Sequence, residues 1–259
     1  MPFNPAIAEW RAKRCWIIGA STGIGAALAD RLGELGARVA LSARRRELLD
    51  EKAARLGAGN ALALPLDVRD PKALAAAADA IVAAWGGIDL VVFMAGDYRP
   101  MRAWELDLEA ARTTIETNLT GCFNALAAVI PVLTRQRAGT LALVSSVAGY
   151  RGLPKSLVYG PTKAALINLA ETLYLDLSPK GVGVCVINPG FVKTPLTAGN
   201  DFRMPALISP EEAAREIVAG LARGAFEIHF PRRFTGWMKA MRLLPYRLYF
   251  PAIRRMTGL

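Results

Sequence analysis

The sequence predicts a doubly wound α/β fold, in which helices cover both faces of a parallel sheet of about seven strands. Short apolar runs alternate along the chain with longer, alanine-rich runs of helical spacing. The short runs are apolar throughout rather than at every second position, which is typical of parallel strands buried on both faces. With 259 residues and 53% hydrophobic content, the chain can form one large core.

The predicted elements follow one another as strand–helix units joined by right-handed crossovers. Strands are expected at residues 15–18, 38–42, 61–66, 88–93, 140–145, 183–187 and 226–230, where the apolar runs lie. Helices are expected at residues 24–35, 46–56, 71–85, 108–133, 156–177 and 210–222. Pro71 and Pro210 support two of the helix starts, because the fixed φ of proline suits the first turn.

The composition argues against several kinds of site. Cys15, Cys122 and Cys185 are widely spaced in apolar runs, which predicts buried free thiols in a reducing compartment, the cytoplasm. His229 is the only histidine, so we expect neither a metal site nor a histidine-based triad. We expect no signal peptide, and no stretch of roughly 18–20 uncharged apolar residues that would span a membrane.

A glycine-rich turn follows the first predicted strand and opens the first predicted helix. Glycines let the backbone approach a pyrophosphate, and the helix N-terminus presents free N–H groups and a partial positive charge. The spacing Gly-x-x-x-Gly-x-Gly differs from the common dinucleotide fingerprint, and an ordinary turn also contains glycines. Its position favours a nucleotide site. The residues concerned are Gly19, Ser21, Thr22, Gly23, Ile24 and Gly25.

Three arginines, Arg44, Arg45 and Arg46, follow the second predicted strand, where no acidic residue is present. In NAD-preferring proteins of this layout, an acidic residue near this point binds the ribose 2′-hydroxyl. A 2′-phosphate is repelled by a carboxylate and attracted by a guanidinium, so this run favours NADP, with NADPH preferred over NADH. The alternative is that the arginines only begin a solvated helix.

Tyr159 and Lys163 lie four residues apart at the start of a predicted helix, with Ser146 upstream at the end of a strand. A spacing of four places the phenol and the ammonium on one helix face. A nearby positive charge is expected to lower the tyrosine pKa, which would suit proton transfer near neutral pH. Taken alone, the pair is more typical of an amphipathic helix on which tyrosine packs and lysine is solvated, and the interpretation depends on the other motifs in the chain.

Together, these motifs resemble those of the short-chain dehydrogenase/reductase family over residues 12–230. The resemblance implies a single Rossmann-type catalytic domain at 1–230 and hydride transfer between a nicotinamide and a carbonyl or alcohol carbon. It implies that Tyr159 is the general acid in reduction and that Lys163 lowers its pKa and binds the nicotinamide ribose. It implies that Ser146 binds the substrate oxygen and that Asn118 supports a proton relay.

The resemblance also assigns cofactor contacts around the motifs. Asp67 and Val68 match the positions beside adenine, and the loop 188–194 matches the one over the nicotinamide carboxamide. Phe93 and Met94 depart from the family's pair of asparagines, one of which helps to tie neighbouring strands together. The cofactor residues implied are Gly19, Ser21, Thr22, Gly23, Ile24, Gly25, Arg44, Arg45, Asp67, Val68, Ala95, Gly96, Asn118, Tyr159, Lys163, Pro189, Gly190, Val192 and Thr194.

The substrate is expected beside the segment 195–208, whose apolar residues either line a pocket or pack a lid. The pocket candidates are Ser146, Leu153, Phe191, Leu196, Phe202 and Met204. In the interpretation that we favour, the chain is an NADP-dependent reductase of ketones or aldehydes, including lipid-like or 3-oxoacyl carbonyl compounds. A nucleotide-sensing protein without chemistry and a membrane-docked scaffold are the alternatives. Helices 108–133 and 156–177 form the subunit interface in similar proteins, which implies a dimer or tetramer.

The residues 231–259 form a basic extension that carries +7 of the net charge of +10 and has no acidic residue. Pro245 and Pro251 are expected to divide it into short helical pieces. Its basic residues alternate with bulky apolar ones, which suits an anionic membrane surface. Packing against the domain or a sister subunit is an equal alternative. A basic patch also binds phosphate backbones non-specifically, but no recognition motif for nucleic acid accompanies the charge.

Overall fold

The computed structural model describes residues 2–200 and 204–258 and confirms the predicted doubly wound fold. Its seven parallel strands run in the order β3-β2-β1-β4-β5-β6-β7. This order reverses between β1 and β4, and the crevice outside the carboxyl ends of such strands is where ligands bind in open α/β sheets. The strands are β1 (Arg14–Ile18), β2 (Arg38–Ser42), β3 (Ala61–Ala63), β4 (Leu90–Phe93), β5 (Thr140–Val144), β6 (Gly183–Pro189) and β7 (Glu227–Phe230).

Two hydrophobic layers lie on opposite faces of the sheet. In β1, Trp16 and Ile18 point into one layer, and Cys15 and Ile17 point into the other. Both faces of the strand are therefore buried, which explains why the strands read as continuous apolar runs. The helices are α1 (Gly23–Glu34), α2 (Arg46–Leu56), α3 (Pro71–Trp85), α4 (Leu108–Ile115), α5 (Gly121–Gln136), α6 (Tyr159–Leu177), α7 (Pro210–Ala222), α8 (Arg232–Arg242) and α9 (Tyr246–Thr257).

Prolines account for two boundaries at which the prediction was wrong. Helix α6 begins at Tyr159 rather than at residue 156, so Pro161 falls in the first turn, where its missing N–H removes no helical bond. Strand β3 ends at Ala63 rather than at residue 66, because Pro65 has no N–H to donate to a ladder. The predicted helix 108–133 also differs, since a π-helical turn at Glu116–Thr120 separates α4 from α5.

Helices α8 and α9 of the basic extension pack on the protein, beside the carboxyl ends of the strands. Thr235, Met238, Met241, Tyr249 and Ile253 are buried. Pro245 lies at the start of α9 as expected, whereas Pro251 lies inside this helix and does not interrupt it. Packing therefore accounts for one side of the extension.

All three cysteines are buried free thiols, as predicted. Burial raises the pKa of Cys122 and Cys185 to about 12 and also raises that of Cys15. Within the described ranges, no group of three or more His, Cys, Asp or Glu side chains is arranged to hold a metal ion.

One helical stretch in the described part of the chain, Leu108–Gln136, is long and apolar enough to cross a membrane by length and composition alone. This finding differs from the expectation drawn from the sequence. The core helix of a soluble protein has the same length and composition. Cys122, Val129 and Leu133 from this stretch belong to the hydrophobic layer that contains Trp16.

Candidate active site

Two cavities meet at the carboxyl ends of the strands. A groove of about 810 Å³ runs from the glycine-rich turn to the start of α6, and a second cavity of about 630 Å³ lies beyond it. The two share five lining residues, Ser146, Tyr159, Gly190, Leu196 and Thr197. The predicted catalytic serine and tyrosine therefore lie at the junction of the two spaces.

The glycine-rich turn forms one end of the groove and fits a pyrophosphate. Gly19 has a φ of +108°, and a Cβ at this position would lie 2.7 Å from the Ala95 backbone nitrogen. A Cβ on Gly25 would collide with the Gly19 carbonyl oxygen and would lie 2.8 Å from the Met94 sulfur. Thr22 precedes α1 without capping it through its side chain, which leaves N–H groups of the first turn available to an anion.

Arg44 and Arg45 lie exposed at the edge of this groove, after β2. The Arg45 guanidinium donates hydrogen bonds to the side-chain oxygens of Ser21 and Thr22, at 3.1 and 3.3 Å. Ser42, the last residue of β2, is buried and accepts a hydrogen bond from the Trp16 indole. After β2, the groove is therefore lined by guanidinium groups, whereas NAD-preferring proteins of this fold have a carboxylate there.

Asp67 and Val68 line the groove as the resemblance implies. The Asp67 carboxylate accepts a hydrogen bond of 2.6 Å from Arg69, and this bond is the main reason that the pKa of Asp67 lies below its usual range. Arg69 belongs to none of the motifs identified in the sequence, although it follows Asp67 at a spacing of two residues. Asp67 therefore presents a charged carboxylate already paired with a cation.

Ser146, Tyr159 and Lys163 are brought together by β5 and the first turns of α6. The Lys163 ammonium donates a 2.9 Å hydrogen bond to the Val144 carbonyl and lies 5.5 Å from the centre of the Tyr159 ring. The side chains of Ser146 and Tyr159 are hydrogen-bonded to each other. The Tyr98 ring meets the Tyr159 ring edge-on, with centroids 4.8 Å apart.

Burial is the largest cause of the pKa shifts of both Tyr159 and Lys163. It raises the pKa of Tyr159 to about 12, although the Ser146 hydrogen bond acts in the opposite direction. It also lowers the pKa of Lys163 to about 8. We expected Lys163 to lower the pKa of Tyr159. This prediction is wrong, because in the protein without bound cofactor the pKa of Tyr159 is raised. A tyrosine with this pKa is protonated near neutral pH and can therefore donate a proton.

Asn118 lies in the π-helical turn beneath the groove rather than in its wall. Its side chain is fully buried. The amide oxygen accepts from the Asp97 N–H at 2.7 Å, and the amide nitrogen donates to the Asp97 carbonyl and the Thr162 hydroxyl at 3.0 and 3.1 Å. Asn118 thereby ties the loop after β4 to α6, and Thr117 is its neighbour that lines the groove.

The loop after β6 closes the opposite side of the groove. Pro189 at the end of β6, and Gly190, Val192 and Thr194 in the loop, line the groove. The Thr197 hydroxyl fixes this loop by donating to the Val192 carbonyl at 2.7 Å and accepting from the Thr194 N–H at 3.1 Å. Ala95 and Gly96 line the groove from the loop after β4.

Met94 shows how the chain manages without the second family asparagine. Its sulfur lies close to Gly25, and its side chain packs against the apolar layer that contains Ile17. Its N–H donates to the Ile18 carbonyl at 2.9 Å, so the backbone connection between β1 and β4 is retained. An apolar contact thus occupies a position where the family has a polar tie between strands.

The second cavity is lined mainly by apolar side chains. Of the predicted substrate residues, Ser146, Leu153, Phe191 and Leu196 line it. Phe202 lies outside the described residues, and Met204 does not line the cavity, although its neighbour Pro205 does.

Four further apolar side chains in the cavity wall come from the basic extension and were missed as substrate residues: Phe234, Met238, Ile253 and Met256. Their spacing in the sequence could have indicated that they lie together. Phe234 and Met238 are four apart, and Ile253 and Met256 are three apart, so each pair shares a helix face. A Cβ on Gly190 would lie 2.9 Å from the Phe234 ring, which brings α8 directly against the loop after β6.

A parallel sheet of this strand order with a nucleotide groove at its switch point defines a dinucleotide-binding α/β protein. The serine, tyrosine and lysine beside the groove place it among the oxidoreductases. Residues 13–203 match the model of the short chain dehydrogenase family. The chain belongs to this family and is an NAD(P)-dependent short-chain dehydrogenase/reductase.

Known relatives cover most of the chain. It is 37% identical to an uncharacterized oxidoreductase of Myxococcus xanthus, over 96% of this chain and all of that protein. It is 32% identical to an uncharacterized oxidoreductase of Staphylococcus epidermidis, over 84% of this chain and 94% of that one. The crystal structure of a short chain dehydrogenase from Burkholderia cenocepacia, in complex with NADP, superposes with a TM-score of 0.82 at 25% identity, covering 97% of this chain and 99% of that one.

Proposed function

We propose that the protein is an NADPH-dependent reductase of ketones or aldehydes that carry a bulky apolar group. The observation that carries this proposal is the position of Ser146 and Tyr159, where the nucleotide groove opens into an apolar cavity. The similarity to a Burkholderia dehydrogenase in complex with NADP supports the choice of cofactor.

The arginines at the end of β2 support NADPH over NADH. A guanidinium binds phosphate with charge-assisted hydrogen bonds, and Arg44 and Arg45 line the groove directly after β2, where NAD-preferring proteins of this layout carry an acidic residue. Arg45 is held there by Ser21 and Thr22. NADPH supplies the hydride when it is bound in the groove.

The remaining steps belong to side chains of the protein. Ser146 holds the carbonyl oxygen by a hydrogen bond and so orients the carbonyl carbon toward the groove. Tyr159 donates its proton to the same oxygen as negative charge develops on it. Lys163 places a cation beside the groove that stabilises the phenolate left on Tyr159. Asn118 positions the loop after β4 through its contacts with Asp97 and Thr162.

The cavity indicates the substrate class. Its lining is largely aliphatic and aromatic, and the described residues that line it include Arg102 and Lys155 but no acidic side chain. A lipid-like carbonyl compound, including a 3-oxoacyl compound with an anionic end, is compatible with both features. Small polar ketones would leave most of the apolar wall without contact, at a cost in binding of roughly 25 cal/mol per Å².

The proposal is tested by following NADPH oxidation with ketones of increasing chain length. We expect kcat/KM to rise with chain length until the cavity is filled, by up to about fourfold for each added methylene group. Replacing Met238 by tryptophan shortens the cavity and should lower kcat/KM for the long ketones only. Tight NADPH binding without turnover on any ketone, aldehyde or alcohol would instead indicate a protein that senses the nucleotide.

We also propose a dimer or tetramer built on α4, α5 and α6. Leu108 and Ile115 on α4, Phe123 on α5 and Leu175 on α6 are bulky apolar side chains that are each more than 40% exposed. Exposed apolar residues concentrated on a few adjacent helices are typical of subunit interfaces. We also propose a cytoplasmic location, which membership of this family supports.

A charged residue in the proposed interface should dissociate the oligomer. We expect Phe123→Glu to give a monomer in light scattering coupled to size-exclusion chromatography, because its carboxylate would be buried without a partner. Trp237→Glu, at an exposed aromatic residue on α8 rather than on these helices, serves as the control and should leave the mass unchanged. A monomeric wild type, or equal masses for wild type and Phe123→Glu, would contradict the proposed interface.

A further inference from the structure

Helix α9 has one side in the substrate cavity and another exposed to the surroundings. Tyr249 and Ile253 are 1% and 6% exposed, and Met256 lines the cavity. By contrast, Tyr246 and Phe250 are 67% and 55% exposed and stack on each other with centroids 5.4 Å apart. Helix α9 is therefore apolar on two sides, and the domain covers only one of them.

Six residues define what we call the outer tail surface. On α9, the exposed residues at positions 246, 247, 250 and 254 fall within one arc of about 100° at the usual helical spacing. Just before α9 in the chain, Arg242 and Leu243 are also exposed, and Leu243 is 85% exposed. The outer tail surface consists of Arg242, Leu243, Tyr246, Arg247, Phe250 and Arg254.

The arginines of this surface are available to an external anion. Elsewhere in the extension, Lys239 is paired with Glu227 at 2.5 Å, and Arg232 lies 3.9 Å from Glu216. Across residues 2–200 and 204–258, no carboxylate pairs with Arg242, Arg247 or Arg254. The surface is therefore a positive patch with bulky apolar side chains set into it.

The surface is held rigidly against the domain. The Arg151 guanidinium donates to the carbonyl oxygens of Met241 and Leu244, at 3.2 and 2.5 Å, and lies 4.0 Å from the centre of the Tyr249 ring. The Tyr249 hydroxyl donates to the Gly152 carbonyl at 2.8 Å. A partner that binds here meets a formed surface and does not have to order a loose segment.

We propose that the outer tail surface docks on an anionic lipid bilayer. Arginine side chains bind lipid phosphate groups, and leucine, tyrosine and phenylalanine enter the boundary between headgroups and acyl chains. A phosphate backbone alone would complement the arginines but not Leu243 or Phe250. A second copy docked face to face would place arginine opposite arginine, which opposes association.

Docking in this way places the substrate cavity next to the bilayer. Met256 lines the cavity two residues after Arg254, and Ile253, immediately before Arg254, lies in the same wall. A lipid-like carbonyl compound would then pass from the acyl region into an apolar cavity without crossing bulk water. This consequence rests on the proposed function, whereas the docking itself does not.

Vesicle flotation of the full chain tests the docking. The vesicles contain phosphatidylcholine either alone or mixed with phosphatidylglycerol. We expect flotation with the anionic vesicles, and a loss of roughly a hundredfold in partitioning for Arg247→Glu/Arg254→Glu. Arg11→Glu/Lys180→Glu is the matched control, since these exposed residues precede β1 and β6, at the opposite end of the strands from the outer tail surface.

A second variant separates the apolar contribution from the charge. Leu243→Ser/Phe250→Ser keeps every arginine and should lower partitioning by at least about tenfold, because two bulky side chains no longer enter the bilayer. Neither residue lines the cavity, so turnover of a water-soluble ketone should stay as in the wild type.

Several outcomes would overturn the docking proposal. They are no flotation with anionic vesicles, equal flotation with neutral ones, or loss of binding in the control as large as in Arg247→Glu/Arg254→Glu. A changed oligomer mass in the charge-reversed variant, or tighter binding to an oligonucleotide than to vesicles, would assign the surface to a different partner. If vesicles bind but NADPH-dependent turnover is absent, the proposed function fails and the docking stands.

Discussion

Replacing Tyr159 by phenylalanine is expected to lower kcat for carbonyl reduction by roughly 10²- to 10⁴-fold. The substitution removes the hydroxyl that donates the proton and leaves the partly buried ring in place beside Tyr98. NADPH affinity should change little, because the groove keeps its glycine-rich turn and both arginines. Steady-state kinetics with a saturating ketone, together with NADPH fluorescence titration, measures the two effects separately.

The same substitution elsewhere in α6 provides the control. Tyr174 donates its hydroxyl to the Phe3 carbonyl at 3.0 Å, away from both cavities. Tyr174→Phe should therefore keep full turnover. If Tyr159→Phe retains more than about a tenth of the wild-type kcat, Tyr159 is not the general acid and the proposed mechanism is wrong.

Removing the two arginines after β2 should change which cofactor binds. We expect Arg44→Ala/Arg45→Ala to weaken NADPH by roughly 10²-fold, since each charge-assisted hydrogen bond contributes about 1.5–3 kcal/mol. Binding of NADH, which has no 2′-phosphate, should change by less than about threefold. Titration of wild type and variant with both nucleotides gives the four dissociation constants.

Arg46 offers a matched control for this pair. It is the next exposed arginine in the chain, but it begins α2 and does not line the groove. Arg46→Ala should leave both dissociation constants unchanged. Tighter binding of NADH than of NADPH to the wild type would contradict the cofactor assignment, as would an equal loss for both nucleotides in the double variant.

The layout of the site was accessible from the sequence because it depends on local spacing. Tyr159 and Lys163 share a helix face whatever surrounds them, and a glycine-rich turn after a first strand reaches the switch point in any doubly wound sheet. The pKa of Tyr159 was predicted in the wrong direction for a physical reason. Burial depends on residues that are distant in the chain, such as Tyr98, and its effect on the phenol outweighs the hydrogen bond from Ser146.

For the basic extension, the sequence could not predict which side of each helix packs on the domain. Its apolar residues were noted, but the choice between packing and membrane contact depended on what lies opposite each helix face. The structure shows Met238 and Ile253 in the cavity wall, while Leu243 and Phe250 stay exposed. Arg151, which joins the extension to the domain, belongs to no motif and has no regular spacing from its three partner carbonyls.

Deuterium transfer from NADPH labelled at the reactive nicotinamide carbon tests the central claim most directly. The protein is incubated with the labelled cofactor and a long-chain ketone, and the product is analysed by mass spectrometry. The account predicts an alcohol that carries one deuterium on its carbinol carbon and is formed as a single stereoisomer. NADPH that binds tightly but yields no labelled alcohol from any carbonyl compound would contradict it.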